Sequence, residues 1–195
     1  MEDEVRIAAR GRPRAPAIDE AIHQAGWAVL GDFGYEGFTF EAVAERAACS
    51  RPALYRRYAS KRDLVLALIQ GRIQRIEPNL EQVSDPREAL MAHVQGLARY
   101  LNDAGRGVSL GLAQARRHDP VLAAAADELY AGQRRFYVEA IQAAASKALP
   151  SGFSDLLADA LVGAVIFRLA LLNGDISDDE LGLLVDQTLR SAEAG

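Results

Sequence analysis

Three arginines, two tyrosines and a lysine crowd the eleven residues from Arg51 to Lys61. A guanidinium can fork onto the edge of a guanine, and an ammonium can sit against a phosphate as a point charge. Such groups act together only if a narrow, rigid element holds them in a row. No competing chemistry assembles elsewhere. The histidines His23, His93 and His118 lie far apart, and none has a cysteine, histidine or carboxylate at metal-ligand spacing. His118-Asp119 ahead of Pro120 reads as a helix junction. Cys49 is the single cysteine, which excludes an internal disulfide and a cysteine-rich metal site. It reads as a small packed residue rather than a nucleophile. No glycine-rich phosphate loop follows a strand. The sequence therefore predicts no catalytic residue, no metal ligand and no cofactor.

The elements around this cluster are short and sharply bounded. Thr39 is a good N-cap, since its hydroxyl can accept from an orphan amide of the first turn. Phe40, Val43, Ala44 and Ala47 then lay an apolar stripe on one helical face. Ala48-Cys49 is too short for a loop of its own. Ser50 caps the next helix, about 51–58, and Pro52 sits in its first turn, where a missing N–H costs little. Leu54 and Tyr58, four apart, are its buried pair. Arg51, Pro52, Ala53, Tyr55, Arg56 and Arg57 are left to turn outward. Ser60 caps a third helix with Asp63 as its capping-box partner. A stubby, apolar-backed helix rimmed with cations and braced by a neighbour is what reading a major groove requires. Double-stranded DNA is the expected partner.

These residues resemble a known family. Thr39, Val43-Ala44, Ala47, Ser50, Leu54-Tyr55, Tyr58, Ser60-Lys61 and Leu64 fall in register with the helix-turn-helix of TetR-type transcriptional repressors. Three positions depart from the pattern. Ala48 stands for the turn glycine, Cys49 for a valine, and Arg57 for an aromatic or histidine. The resemblance implies that Arg51, Pro52 and Ala53 face base edges, and a bidentate Arg51–guanine contact discriminates by about 1–3 kcal/mol. It implies phosphate contact by Tyr55, Arg57 and Lys61 and backbone contact by Thr39, with Ser50 at the start of the reading helix; Arg56 either joins these contacts or is solvated. Core packing is the alternative role for Tyr55.

Bulk properties set the frame. Half of the 195 residues are hydrophobic and a quarter are charged, ordinary values for a globular chain. Strand-forming clusters are sparse, so an all-α fold of about nine helices is expected. The net charge of −5 hides an asymmetry. Up to residue 75 there are 12 Lys and Arg against 10 Asp and Glu, and beyond it 10 against 17. Local charge governs phosphate binding. Residues 1–16 form a basic arm, in which Arg10-Gly11-Arg12-Pro13 resembles an AT-hook. Arg12 and Arg14 either enter a minor groove or give loose phosphate attraction. No leader is seen, and the longest apolar run, 161–172, is broken by Arg168 and short of a span. A cytoplasmic location with no membrane partner is expected.

The domains expected are 1–16 as arm, 17–60 as DNA-binding head and 61–195 as body. Helix 1, about 17–34, buries Ile18, Ile22, Ala25, Val29 and Phe33, and Asp19 and Glu20 suit its N-terminal end. Helix 4 runs from Lys61 through Leu64, Leu68, Ile69, Ile73 and Ile76 to Pro78. Body helices follow at about 86–103, 107–117, 120–148, 154–172 and 178–193. The helix over 154–172 is apolar nearly all round and must be covered on both sides. The resemblance implies that the last two helices form a dimeric four-helix bundle through Leu161, Val165, Leu169, Leu172, Leu181, Leu184 and Val185; burial of the apolar helix within one subunit is the alternative, with few helices left to cover it. It also implies a cavity for a small-molecule effector, for which Tyr100, Gln114, Phe136 and Phe167 are the candidates. The resulting expectation is a homodimeric repressor released by an unidentified effector. Two alternatives stand beside it: a DNA-binding dimer without an effector, and an all-α ligand-binding protein that does not bind DNA.

Overall fold

The chain is described by a computed structural model covering residues 15–73 and 85–195. Arg12 and Arg14, Ile76 and Pro78 lie outside the described residues. Among those described there are nine α-helices and no strand. Three lie in the stretch expected as the head, α1 (Ala15–Gly37), α2 (Phe40–Arg46) and α3 (Arg51–Tyr55), and α4 (Lys61–Ile73), expected to open the body, packs Leu64 and Ile69 against them and is grouped with the head. The body holds α5 (Pro86–Tyr100), α6 (Arg106–Ala115), α7 (Pro120–Ala144), α8 (Phe153–Ile166) and α9 (Asp178–Ala194). Wide π-type turns extend α5 over Leu101–Gly105 and α8 over Phe167–Leu171. None of these helices is long and apolar enough to cross a membrane.

Side-chain caps start the helices where the sequence places them. The Thr39 hydroxyl accepts from the Ala42 amide at 3.2 Å. Ser60 accepts from Asp63 at 3.2 Å. Asp85 and Asp119 accept from first-turn amides of α5 and α7, each followed by a proline that gives up no needed N–H. Ser177 and Glu180 close a reciprocal capping box on α9. Ser50 differs, because its hydroxyl makes no cap bond; its carbonyl instead accepts from Ala53 at 2.8 Å. Asp19 is not in the first turn of α1, which begins at Ala15, and it pairs with Arg57.

Two hydrophobic cores share the molecule. The first gathers Ile22, Val29 and Leu30 of α1, Phe40 and Val43 of α2, Leu54 of α3 and Leu64 and Ile69 of α4. Val108 and Leu112 of α6 and Leu122 and Leu129 of α7 complete it, so the body seals the head. Phe33 is not in this core and is 59% exposed. The backbone turns left-handed at Gly34 (φ 64°), and Phe38 fills the space instead. The second core joins Leu90 and Val94 of α5, Tyr137 and Ile141 of α7, Leu161, Val165 and Leu169 of the α8 segment, and Leu181 and Val185 of α9.

That second core corrects the expected dimer face. Leu161, Val165, Leu169, Leu181 and Val185 are buried within one protomer against α5 and α7, and Leu184 is half-buried beside them. Of the residues expected at the interface, only Leu172 is well exposed. The apolar surface that remains open lies on the opposite stripe of the same helix: Leu156, Ala160, Gly163, Phe167 and Leu171.

Glycine governs how head and body meet. A Cβ on Gly107 of α6 would lie 1.7 Å from the Gly31 carbonyl oxygen of α1, and one on Gly111 would lie 3.0 Å from Gly34 Cα. Only glycine permits backbones to approach this closely. Arg62 of α4 adds an ion pair to Asp119 at 3.2 Å, on the cap of α7.

Candidate nucleic-acid interface and body cavity

The connection between α2 and α3 is tight because its hydrogen bonds close a helix end. Cys49 N–H donates to Ala44 at 3.0 Å and Ala48 N–H to Glu45 at 3.2 Å, the pair of bonds of a Schellman motif. Ala48 takes the left-handed position (φ 49°) where the family pattern has glycine. α3 then leaves at a fixed angle, and Leu54, fully buried, holds it against the head core.

Arg51, Pro52, Tyr55 and Arg56 stand exposed on the outer face of α3, with Ser50 and Thr39 exposed at the two helix starts. Tyr55 is 55% exposed and rests edge-on against Phe40, centroids 4.8 Å apart. It is thus neither a core residue nor a loose one. Arg51 is held by Glu41 of α2 at 2.7 Å, a pairing that no helical spacing announces. Its guanidinium is pre-positioned at the start of α3, and base readout requires exchange of Glu41 for a base edge.

Three expected contacts sit differently. Ala53 is 7% exposed and faces inward beside Leu54, because α3 has only five residues and needs both to anchor it. Arg57 folds back to ion-pair with Asp19 and donates to the Ala53 carbonyl at 3.1 Å, clamping α3 to α1. A phosphate would have to displace Asp19. Lys61 is half-buried, and its ammonium donates to the Tyr35 carbonyl at 3.0 Å and lies 4.5 Å from the Tyr35 ring centroid. A cation there complements the carbonyl end of α1. Tyr58 closes the head from behind, its hydroxyl 3.0 Å from His23 Nε2. Burial pushes the Tyr58 phenol above its ordinary range.

The body encloses a cavity of about 370 Å³ among α5, α6, α7 and α8, within the size range of small-molecule sites. Leu97, Leu101, Leu112, Leu129, Val162 and Ile166 give it an apolar wall. Tyr100, Ser109, Tyr130, Gln133, Arg134, Tyr137 and Asp159 supply polar groups. α7 presents Leu129, Tyr130, Gln133, Arg134 and Tyr137 on one face, spaced as a helix requires. Burial raises the Tyr130 and Tyr137 phenols above their ordinary value and keeps both neutral. The Tyr137 hydroxyl donates to the His93 carbonyl at 3.2 Å.

Of the residues expected to line such a cavity, only Tyr100 does. Gln114 lies on the exposed face of α6. Phe136 is turned to the other side of α7 and stacks on His93, centroids 5.3 Å apart. Burial lowers the His93 pKa. Phe167 is 54% exposed on the outer stripe of the α8 segment. Among the described residues no group of three His, Cys, Asp or Glu could hold a metal ion.

Comparison with known proteins places both halves. The family model described as "Bacterial regulatory proteins, tetR family" matches residues 22–68, and that described as "Tetracyclin repressor-like, C-terminal domain" matches residues 83–188. A curated relative from Mycobacterium tuberculosis strain H37Rv, an uncharacterized HTH-type transcriptional regulator, is 28% identical over 166 residues, covering 83% of this chain and 80% of its own. Among solved structures, a transcriptional regulator from Saccharomonospora viridis in complex with choline aligns with a TM-score of 0.69 at 19% identity, over 91% of this chain and 97% of that one. FadR of Bacillus subtilis in complex with stearoyl-CoA aligns with a TM-score of 0.67 at 18% identity, over 91% and 98%.

Proposed function

The chain belongs to the tetR family of bacterial regulatory proteins and is a DNA-binding transcriptional regulator, and from that premise we propose a cytoplasmic, homodimeric repressor that holds a near-palindromic operator until a small molecule enters its body cavity. One observation carries the reading: α3 turns Arg51, Pro52, Tyr55 and Arg56 to solvent while Leu54 anchors it to a sealed core. Arg51 reads a base, Tyr55 and Arg56 meet backbone, and Thr39 and Ser50 flank the same groove. Lys61 contributes a phosphate contact from the start of α4, and Arg57 braces α3 through Asp19.

Support for the dimer comes from the apolar stripe on the α8 segment, with Leu172 beside it and Leu183, 65% exposed, on α9. A contiguous exposed apolar surface marks an interface. Two-fold pairing there makes a four-helix bundle and carries two heads, whose α3 helices then stand about 34 Å apart in successive major grooves. Support for an effector comes from the cavity, and from two proteins of the same fold that hold choline and stearoyl-CoA. An occupant that prefers the other head spacing shifts the population and releases DNA.

The test uses a site selected from random duplex DNA and binding measured by fluorescence anisotropy. Arg51→Ala should lose about 1–3 kcal/mol at the selected site and relax the preference at one base. Lys61→Ala should weaken every sequence alike and lower the salt slope by about 1. If both variants bind like the parent, α3 does not read the groove.

A further inference from the structure

The charged groups of the cavity are unevenly matched. Among the described residues that line it, only Arg134 and Asp159 carry charge. Arg134 donates from Nε and Nη2 to the two carboxylate oxygens of Asp159, both at 2.7 Å, and from Nη1 to Asp155 at 2.5 Å. One guanidinium thus serves two carboxylates, and its directional donors point at them. The lining pair is balanced in charge, and Asp155, which stands beyond Arg134 and outside the lining, leaves the three-residue cluster with one net negative charge beside an otherwise apolar chamber. Its side chains are partly exposed, 40% for Arg134 and 57% for Asp159, so they mark the mouth rather than the floor.

An anionic occupant would meet this rim with its charge opposed and with Arg134 already engaged on both sides. A cationic head meets the reverse: the Asp159 carboxylate at the mouth, a second carboxylate, Asp155, just behind Arg134, and the tyrosine rings of the wall as further cation-binding surfaces. The apolar interior suits a hydrocarbon or aromatic body behind that head.

We infer that the cavity takes a lipophilic monocation, its amine or quaternary ammonium beside Asp159 at the mouth, where Asp155 behind Arg134 tips the local charge negative, and its apolar body between α5, α7 and α8. This rests on the reading of the cavity as the effector site, and it narrows that site to one charge class.

Three probes of matched chain length test it by isothermal titration calorimetry on the full chain: decyltrimethylammonium, 1-decanol and decanoate. Decyltrimethylammonium should bind at least tenfold more tightly than decanoate, and Asp159→Asn should cut that ratio severalfold while 1-decanol binding stays within twofold. Asp155→Asn, whose carboxylate makes a single bond to Arg134, should act in the same direction and guards against a folding defect in the first variant. Val162→Trp, which fills the chamber, should abolish binding of all three. Equal affinities, or tightest binding by decanoate, would overturn the charge assignment and leave the effector site standing. Binding that survives Val162→Trp, or no binding by any probe, would overturn both.

Discussion

At the scale of single residues, the turn before α3 holds an unused margin of stability. Ala48 sits at φ 49°, where an L side chain costs about 1–2 kcal/mol. Its place in the Schellman motif is one that glycine fills without strain. Glycine returns part of that gain through the greater freedom of the unfolded chain. Ala48→Gly should therefore stabilise the protein by about 1 kcal/mol, which for this chain length raises Tm by about 2–4 °C. Calorimetry measures the shift, and DNA affinity should stay unchanged because the turn keeps its path. An unchanged or lowered Tm would mean that Ala48 is not strained. Arg51 and Arg57 teach a different lesson. Both were visible as cations, but their carboxylate partners, Glu41 on α2 and Asp19 on α1, lie across helix contacts that spacing along the chain does not reveal. One pairing leaves the guanidinium outside and the other draws it in, and only packing decides between them.

Among the helices, what could be read in advance was whatever local chemistry determines. Thr39, Ser60 and Ser177 announce their helices through hydroxyl caps, and Asp85-Pro86 and Asp119-Pro120 do so through a cap followed by a ring-locked first turn. What could not be read was the direction a helix faces when both faces are apolar. Along the α8 segment the stripe Leu161, Val165, Leu169 and the stripe Leu156, Ala160, Gly163, Phe167 have the same period, and only the presence of α5, α7 and α9 tells which one they cover. The cavity wall was hidden for the same reason: Tyr130, Gln133 and Arg134 line it together with Tyr100, while Phe136 on the same helix turns toward His93. The glycines of α6 make a prediction at this scale. Gly107→Ala places a Cβ against the Gly31 carbonyl, which is backbone and cannot rotate away. The helices must separate, so the variant should lose about 3 kcal/mol, near the upper end for overpacking, and melt about 6–12 °C lower. Gly132→Ala, where a Cβ meets nothing within 4 Å, serves as the control and should gain up to about 1 kcal/mol. Equal behaviour of the two would show that α1 and α6 are not in close backbone contact.

At the scale of the whole molecule, the proposed two-fold symmetry turns on Gly163. It lies at the middle of the exposed α8 stripe, and a Cβ there meets nothing within 4 Å of its own chain. Gly163→Glu should therefore leave the fold of one protomer intact by circular dichroism while converting a dimer to a monomer by analytical ultracentrifugation. Operator affinity should fall with it, since one head alone reads half a site. A dimer that survives the substitution would place the two-fold axis elsewhere. The position of α6 has a further consequence. One side of this ten-residue rod lines the chamber through Ser109, Leu110 and Ala113, its other side is notched against α1 and lends Val108 to the head, and Leu112 serves both. A splice made behind α4 to graft this head onto a foreign body would leave Gly31 facing a stranger's helix and part of the head's interior bare. Chamber and head therefore share one strut, and a designer who wants to exchange either must carry α6 along with it.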